Sequence, residues 1–271
     1  MNELNKNAWI IKANDVIDDV LSKAFKNAQY GSWDENQITT NVLVSLNKLG
    51  NVLKWKSQNQ ITVWDSYKQR GKAETESGDI LFFIKVILSS KVTIEGVAYY
   101  EAKKMHLKNN LIPDGYTSFK EDQLVRICKH SMASNVLLYD VNLDSSTSEG
   151  APTCSLGAFA LPTIFACSLL KKGNKLTQQE TKELPGFGKP WVYFLADNFS
   201  GFGLDYHPRA VIYAKNFIQR FHRDFPGNIV IATTSKVLDI EPELDRSFIP
   251  SDLYIPSNSV IDRENNDHMD N

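Results

Sequence analysis

The sequence predicts an α/β fold, a central mixed sheet flanked by helices, and three observations predict it. Two successive runs, residues 79–88 and 92–104, are apolar at most positions and are bracketed by Gly78 and a Ser89-Ser90-Lys91 turn, the pattern of paired strands buried on both faces. Segments with apolar residues at three- and four-residue steps stand before and after these runs, the period of amphipathic helices. The two periods alternate along the chain, and a sheet covered by helices is the layer arrangement that buries both.

In chain order, Ala8, Ile11, Val16, Val20, Leu21, Ala24 and Phe25 predict a first helix running to about Ala28 and ended by Gly31. Ser32-Trp33-Asp34-Glu35 opens a second, with Ile38, Val42, Leu43 and Leu46 on one face and Gly50 closing it. Residues 55–64 have the β-branched and aromatic content of a strand. After the central pair, Phe119, Leu124, Ile127 and Cys128 mark a helix over 118–132, and residues 135–141 form a short apolar strand. A loop then leads to a buried helix over about 162–172, opened by Pro162 and stopped by Gly173. Residues 173–183 are polar, 191–195 read as a strand, 208–221 as a helix and 228–233 as a strand.

The chain has 271 residues, 42% of them hydrophobic and 23% charged, which excludes collagen-like, wholly disordered and disulfide-scaffold classes. A single domain is expected over residues 1–257, with its core at about 30–142, a C-terminal elaboration at about 143–257, and an acidic flexible tail at 258–271. Cys128, Cys154 and Cys167 form no CxxC pair, and no apolar segment follows a basic start, so a reducing, cytoplasmic setting is expected. The uncharged run 150–170 approaches a membrane span in length. Pro152, Gly157, Pro162 and several hydroxyl residues dilute it, and no membrane attachment is expected. Residues 237–271 carry nine acids and two arginines, leaving 28 Lys and Arg against 23 Asp and Glu over residues 1–236. That mild basicity permits a polyanionic partner without demonstrating one.

The chemistry concentrates at Asp79, Glu101 and Lys103. Side chains alternate along a strand, so Glu101 and Lys103 project from one face, and Asp79 at the start of the neighbouring strand can lie beside them. Two carboxylates with an adjacent ammonium can hold Mg²⁺ through hard oxygen ligands and present a cation to a phosphate. By composition about one E-x-K tripeptide is expected in a chain this size. A second copy, Glu180-Thr181-Lys182, lies in a polar run with no strand before it, so context separates the two. The alternative for the first is a surface ion pair at a strand end, worth about 0–1 kcal/mol. Rival sites are weaker. His106, His130, His207 and His222 show no short metal-ligand spacing. Gly186-Phe187-Gly188 and Gly201-Phe202-Gly203 complete neither GxGxxG nor a P-loop. The aromatics of 191–202 serve either base stacking or the core.

At Gly78-Asp79, the hairpin and Glu101-Ala102-Lys103, with a helix and a short strand behind, the chain resembles the PD-(D/E)XK nuclease superfamily, the restriction-endonuclease-like fold, over residues 30–142. The resemblance implies that Asp79 and Glu101 bind the metal, that Ala102 adds its backbone carbonyl, and that Lys103 orients the attacking water or stabilises charge on the phosphate. It assigns a helix glutamate to Glu35 and a glutamine on the following helix to Gln123. Glu35 also stands three residues after Ser32, where a capping box would account for it. Glu76 is either a further ligand or solvation of the turn, and Lys120 either faces the phosphate or is an exposed helix residue. Gly78 replaces the proline of the family name, and Ile127 stands where the RecB-type form carries Tyr.

The implied activity is a Mg²⁺-dependent endonuclease on DNA, with Mn²⁺ able to substitute, leaving a 5′ phosphate, in restriction or anti-phage defence. A homodimer would supply two sites for cutting both strands. The near-neutral charge makes unaided high-affinity DNA binding doubtful, so a helicase, ATPase or other defence-system subunit is an expected partner. The alternative is a catalytically silent, nuclease-like subunit that binds nucleic acid or assembles a larger complex.

Overall fold

The computed structural model describes residues 5–70, 79–108, 111–116, 119, 121–144, 153–169, 178–219, 226–237 and 239–259. Glu76, Gly78, Lys120, Gly173 and the tail from residue 260 onward lie outside the described residues.

The first helix, α1 (Lys6–Lys26), starts at Asn5, whose side chain accepts a hydrogen bond from the Ala8 amide. It buries Trp9, Ala13, Ile17, Val20 and Leu21, one stripe at helical spacing. The chain then turns through Gly31 at φ +87°, a backbone state that favours glycine, into α2 (Glu35–Leu49). Asp34 caps α2 by accepting from the amides of Asn36 and Gln37 at 3.1 Å each. The expected cap at Ser32 is therefore two residues too early. A carboxylate both satisfies two orphan amides and complements the helix dipole. Glu35 becomes the first helical residue, and its side chain is free of any capping-box role.

The predicted strand at 55–64 is the middle of a hairpin, β1 (Val52–Trp55) and β2 (Gln60–Gln69), interrupted by a 3₁₀ turn, Lys56–Gln58. The two central strands, β3 (Ile80–Ser89) and β4 (Val92–Lys104), pair antiparallel as expected, with Ile80 opposite Tyr100 and Ile84 opposite Gly96. A small ribbon, β5 (Leu107–Lys108) with β6 (Ile112–Pro113), precedes α3 (Glu121–His130). The helix returns the chain to β7 (Ser134–Asp144), parallel to β4.

Two expectations beyond residue 141 are corrected. The run preceding Thr163 is not a loop but a strand, β8 (Thr153–Pro162), antiparallel to β7, and it leads into α4 (Thr163–Leu169), the predicted end of which lies outside the described residues. Its small residues Ala158 and Ala160 are buried where α1 packs on the sheet. Next come a short helix α5 (Gln178–Thr181), which holds part of the second E-x-K copy away from any strand, and β9 (Lys189–Pro190). Residues 191–195 are not a strand but the start of α6 (Trp191–Phe199). Trp191, Val192, Leu195, Ala196 and Phe199 are buried while Tyr193 is 50% exposed, a one-four-five spacing that only a helix turns to one side. These aromatics are therefore mainly core: the Phe199 ring lies 5.2 Å from Trp64 and 6.0 Å from Trp9.

The last elements of the described residues are α7 (Pro208–Gln219), β10 (Asn228–Ser235) and β11 (Tyr254–Pro256). Apart from the β5–β6 ribbon, the described strands make one nine-stranded mixed sheet in the order β1-β2-β10-β3-β4-β7-β8-β9, with β11 also on β2. β10 inserts between β2, to which it is antiparallel, and β3, to which it is parallel, and each of its residues is buried. Residues alternate along the central strands between two cores. Ile80, Phe82, Tyr100 and Ala102 face α1, α2 and α6, whereas Leu81, Phe83, Val97 and Tyr99 face α7 and Ile127 of α3. Among the described residues no helix is long and apolar enough to cross a membrane.

The corrected α6 has a direct test in urea unfolding. Tyr193→Ala is expected to stay within about 0.5 kcal/mol of wild type and Leu195→Ala to cost about 2–5 kcal/mol. Equal, large losses would mean that both side chains point inward, as in a strand.

Candidate active site

Asp79 immediately precedes β3, and continuing the β3–β4 register by one residue sets it opposite Glu101. Directly opposed residues share a face of the sheet. The Asp79 backbone is held on both sides: its amide donates to the Tyr100 carbonyl at 2.9 Å, and its carbonyl accepts from the Asn228 amide of β10 at 2.9 Å. Its carboxylate Oδ2 accepts from the Ala102 amide at 2.7 Å.

Glu101 and Lys103, two residues apart on β4, form a buried ion pair through Glu101 Oε1. Gln123 of α3 donates its Nε2 to the same oxygen. The other oxygen, Oε2, is buried with no hydrogen-bond partner among the described residues, a costly state that a cation would relieve. From α2, on the other side of the sheet, Glu35 reaches over the strand ends and accepts from the Lys104 amide at 3.1 Å. The Thr39 hydroxyl, one turn along α2, meets the Tyr139 hydroxyl of β7 at 2.7 Å and ties the helix to the sheet behind the site. Asp79, Glu101 and Lys103 are 6%, 1% and 4% exposed, whereas Glu35 and Gln123 are half-buried and line the way in.

The electrostatics follow from this crowding. Burial, with the neighbouring Glu101 carboxylate, raises Asp79 from an ordinary value near 3.8 to about 7, against the pull of Lys103 and the Ala102 amide. Burial also raises Glu101, with Lys103 opposing. Glu35 rises for the same reason, lowered by Lys103 and raised further by Asp79. Burial acts to lower Lys103, but Glu101, Asp79 and Glu35 outweigh it and hold the ammonium above its usual value.

The residues singled out in the sequence, Asp79, Glu101, Ala102, Lys103, Glu35 and Gln123, thus meet at one end of the β3–β4 pair. Two further cations join them. Lys68 of β2 is half-buried, its ammonium lowered by burial and attracted by Asp79 and Asp34. It comes near because β10 draws β2 alongside β3, a long-range arrangement with no local sequence signal. Arg126 of α3 acts on Glu101. Its place three residues after Gln123 is a helical spacing that could have been read from the sequence.

The donor chemistry fits a hard divalent cation: two carboxylates, one of them with an unpartnered buried oxygen. In an extended strand the amide and carbonyl of one residue leave by the same edge, so the Ala102 carbonyl is directed to the side on which its amide reaches Asp79. Among the described residues no three His, Cys, Asp or Glu side chains converge as a set that could hold a metal ion. A cation bound by Asp79 and Glu101 would complete its shell with backbone oxygen, water or substrate, as Mg²⁺ commonly does. No protein-family model matches the chain, and no curated protein or solved structure matches it either.

A raised carboxyl value means that the folded state holds a proton which the unfolded chain has already released. Between about pH 3.8 and about 7, wild-type stability therefore falls as pH rises through the window. Asp79→Asn removes that titration. Urea unfolding across the window is expected to show the variant gaining on the wild type as pH increases, and parallel curves would contradict the buried, charge-crowded environment of Asp79.

Proposed function

We propose that the protein is a divalent-metal-dependent endonuclease that hydrolyses phosphodiester bonds of DNA, built on a restriction-endonuclease-like core and acting in restriction or anti-phage defence. The observation that carries this reading is the burial of Asp79, Glu101 and Lys103 together at the end of paired strands, with Glu101 Oε2 unpartnered. The topology around them supports it. A β3–β4 hairpin bears the acids, and α3 crosses from β4 to the parallel β7 while delivering Gln123.

Mg²⁺, or Mn²⁺ in its place, would be held by Asp79, Glu101 and the Ala102 carbonyl, where it would polarise the phosphate and acidify a coordinated water. Lys103 supplies positive charge where negative charge develops on the phosphorus oxygens, in a site from which water is largely excluded. Gln123 and Lys103 both grip Glu101 Oε1 and fix the carboxylate orientation. Glu35, with its raised value, is suited to hold and pass a proton at the rim. Water adds to phosphorus, the bond to the 3′ oxygen breaks, that oxygen takes a proton, and a 5′ phosphate remains. A helicase, ATPase or other defence-system subunit is the proposed source of the DNA, and a second copy of the chain would provide the second cut.

One observation favours a second reading, a silent nuclease-like subunit that binds nucleic acid. Glu101 Oε1 is already taken by Lys103 and Gln123, and a closed ion pair of this kind can be purely structural.

Plasmid and single-stranded DNA incubated with Mg²⁺ or Mn²⁺ separate the two. The nuclease reading expects cutting by the wild type, abolished by EDTA and reduced at least about 100-fold by Asp79→Ala or Lys103→Ala. Cutting that survives both substitutions would place the chemistry elsewhere. DNA binding that ignores metal and Asp79→Ala, with no cutting, would favour the silent subunit.

A further inference from the structure

A cleft of about 310 Å³ opens between the C-terminal end of α3 and the start of α7, with Lys129, His130, Asp205, His207, Arg209 and Tyr213 among its walls. Its one acid is committed to structure. Asp205 Oδ2 accepts from Ser131 Oγ at 2.9 Å and the Met132 amide at 3.1 Å, and Oδ1 accepts from the His207 amide at 2.9 Å. The same residue is bridged to Val97 of β4 through both backbone groups. That contact requires Gly96, where a Cβ would lie 2.9 Å from Leu204 and Tyr206.

The cations of the cleft are uncommitted. Lys129 and Arg209 are exposed, and among the described residues neither is paired with a carboxylate. His130 stacks on Tyr213, ring centroids 4.4 Å apart, with Nε2 3.2 Å from the tyrosine hydroxyl. Burial, with Arg126 and Lys129 beside it, lowers the imidazole value, the response of a base in a positive field. Under the cleft the Tyr99 hydroxyl is buried with no hydrogen-bond partner among the described residues, within the electrostatic reach of Tyr213 and Asp205.

The cleft and the carboxylate site lie on the same side of the sheet. Tyr99 and Glu101 are two residues apart on β4 and so share a face. On α3, Gln123 holds Glu101 while His130, seven residues later, borders the cleft. Seven residues of helix span about 10 Å, close enough for one bound strand to reach both places.

We propose that this cleft seats a backbone phosphate of the DNA substrate, a few nucleotides at most from the bond held at Asp79 and Glu101, with Lys129 and Arg209 as its cations. The identity of the strand rests on the nuclease reading. The binding chemistry rests on the cleft alone.

The test is anisotropy of a fluorescein-labelled single-stranded oligonucleotide over a range of salt, using the full chain in an Asp79→Asn background so that binding is read without cutting. Adding Lys129→Ala and Arg209→Ala is expected to weaken binding about tenfold and to flatten the salt dependence by about 0.7 in slope, the share of the one phosphate seated. Lys12→Ala with Lys54→Ala, two exposed lysines outside the cleft, is expected to leave affinity within about twofold. Equal effects of the two pairs overturn the proposal. If the wild type cuts DNA and the slope does not shift, the cleft assignment fails by itself. If it cuts nothing and the slope shifts as expected, the cleft stands and the nuclease reading falls.

Discussion

The buried ion pair between Glu101 and Lys103 is the constraint around which the centre of the molecule is arranged. Removing one partner of such a pair leaves an uncompensated charge and costs about 3–5 kcal/mol, while a well-packed apolar pair in its place is often neutral or better. Burying it is therefore weak support for stability and stronger support for a task. The surroundings are consistent with that: β3 brings Asp79 opposite Glu101, α3 brings Gln123, and α2 brings Glu35. Three elements from different parts of the chain each contribute one polar group to a place the hydrophobic core would otherwise fill.

The heart of this site was legible from period two alone. Alternation puts Glu101 and Lys103 on one face, and two apolar runs around a short turn bring Asp79 beside them. Gln123 came only as what the family resemblance implies, and Glu35 from the same source as one of two readings, because Ser32 offered a plausible cap. Asp34 takes the cap since its carboxylate satisfies two amides at once, and that frees Glu35. Local pattern failed where tertiary pairing decided. A short run such as 191–195 suits a strand or a helix equally until the burial of Leu195, Ala196 and Phe199 adds a second turn. Residues 153–162 lack the β-branched content of a strand and become one because β7 offers an edge and α1 a cover. The insertion of β10 between β2 and β3, which carries Lys68 toward Asp79, joins residues far apart in sequence and has no local signal.

The charge arrangement is compatible with the polyanionic substrate proposed for this near-neutral chain. Acidic groups are concentrated near the C-terminus and at the strand ends, where Lys103, Lys68 and Arg126 offset them. Of the uncommitted cations of the α3–α7 cleft, Lys129 lies farther along α3 than Gln123 and Arg209 lies at the start of α7. A DNA strand following α3 would meet positive charge on its flank before reaching the carboxylates. On the proposed reading modest overall basicity suffices, because the charge that matters is local.

The most direct test of the account is whether Asp79 and Glu101 take a divalent cation. Mn²⁺ titrated into the protein can be followed by calorimetry and by the loss of the free-ion spin-resonance signal. Wild type is predicted to bind the ion, and Asp79→Asn, which keeps an oxygen for the Ala102 amide, to lose it while unfolding as cooperatively as wild type. Binding that is absent from a well-folded wild type, or equal in both proteins, would contradict the account.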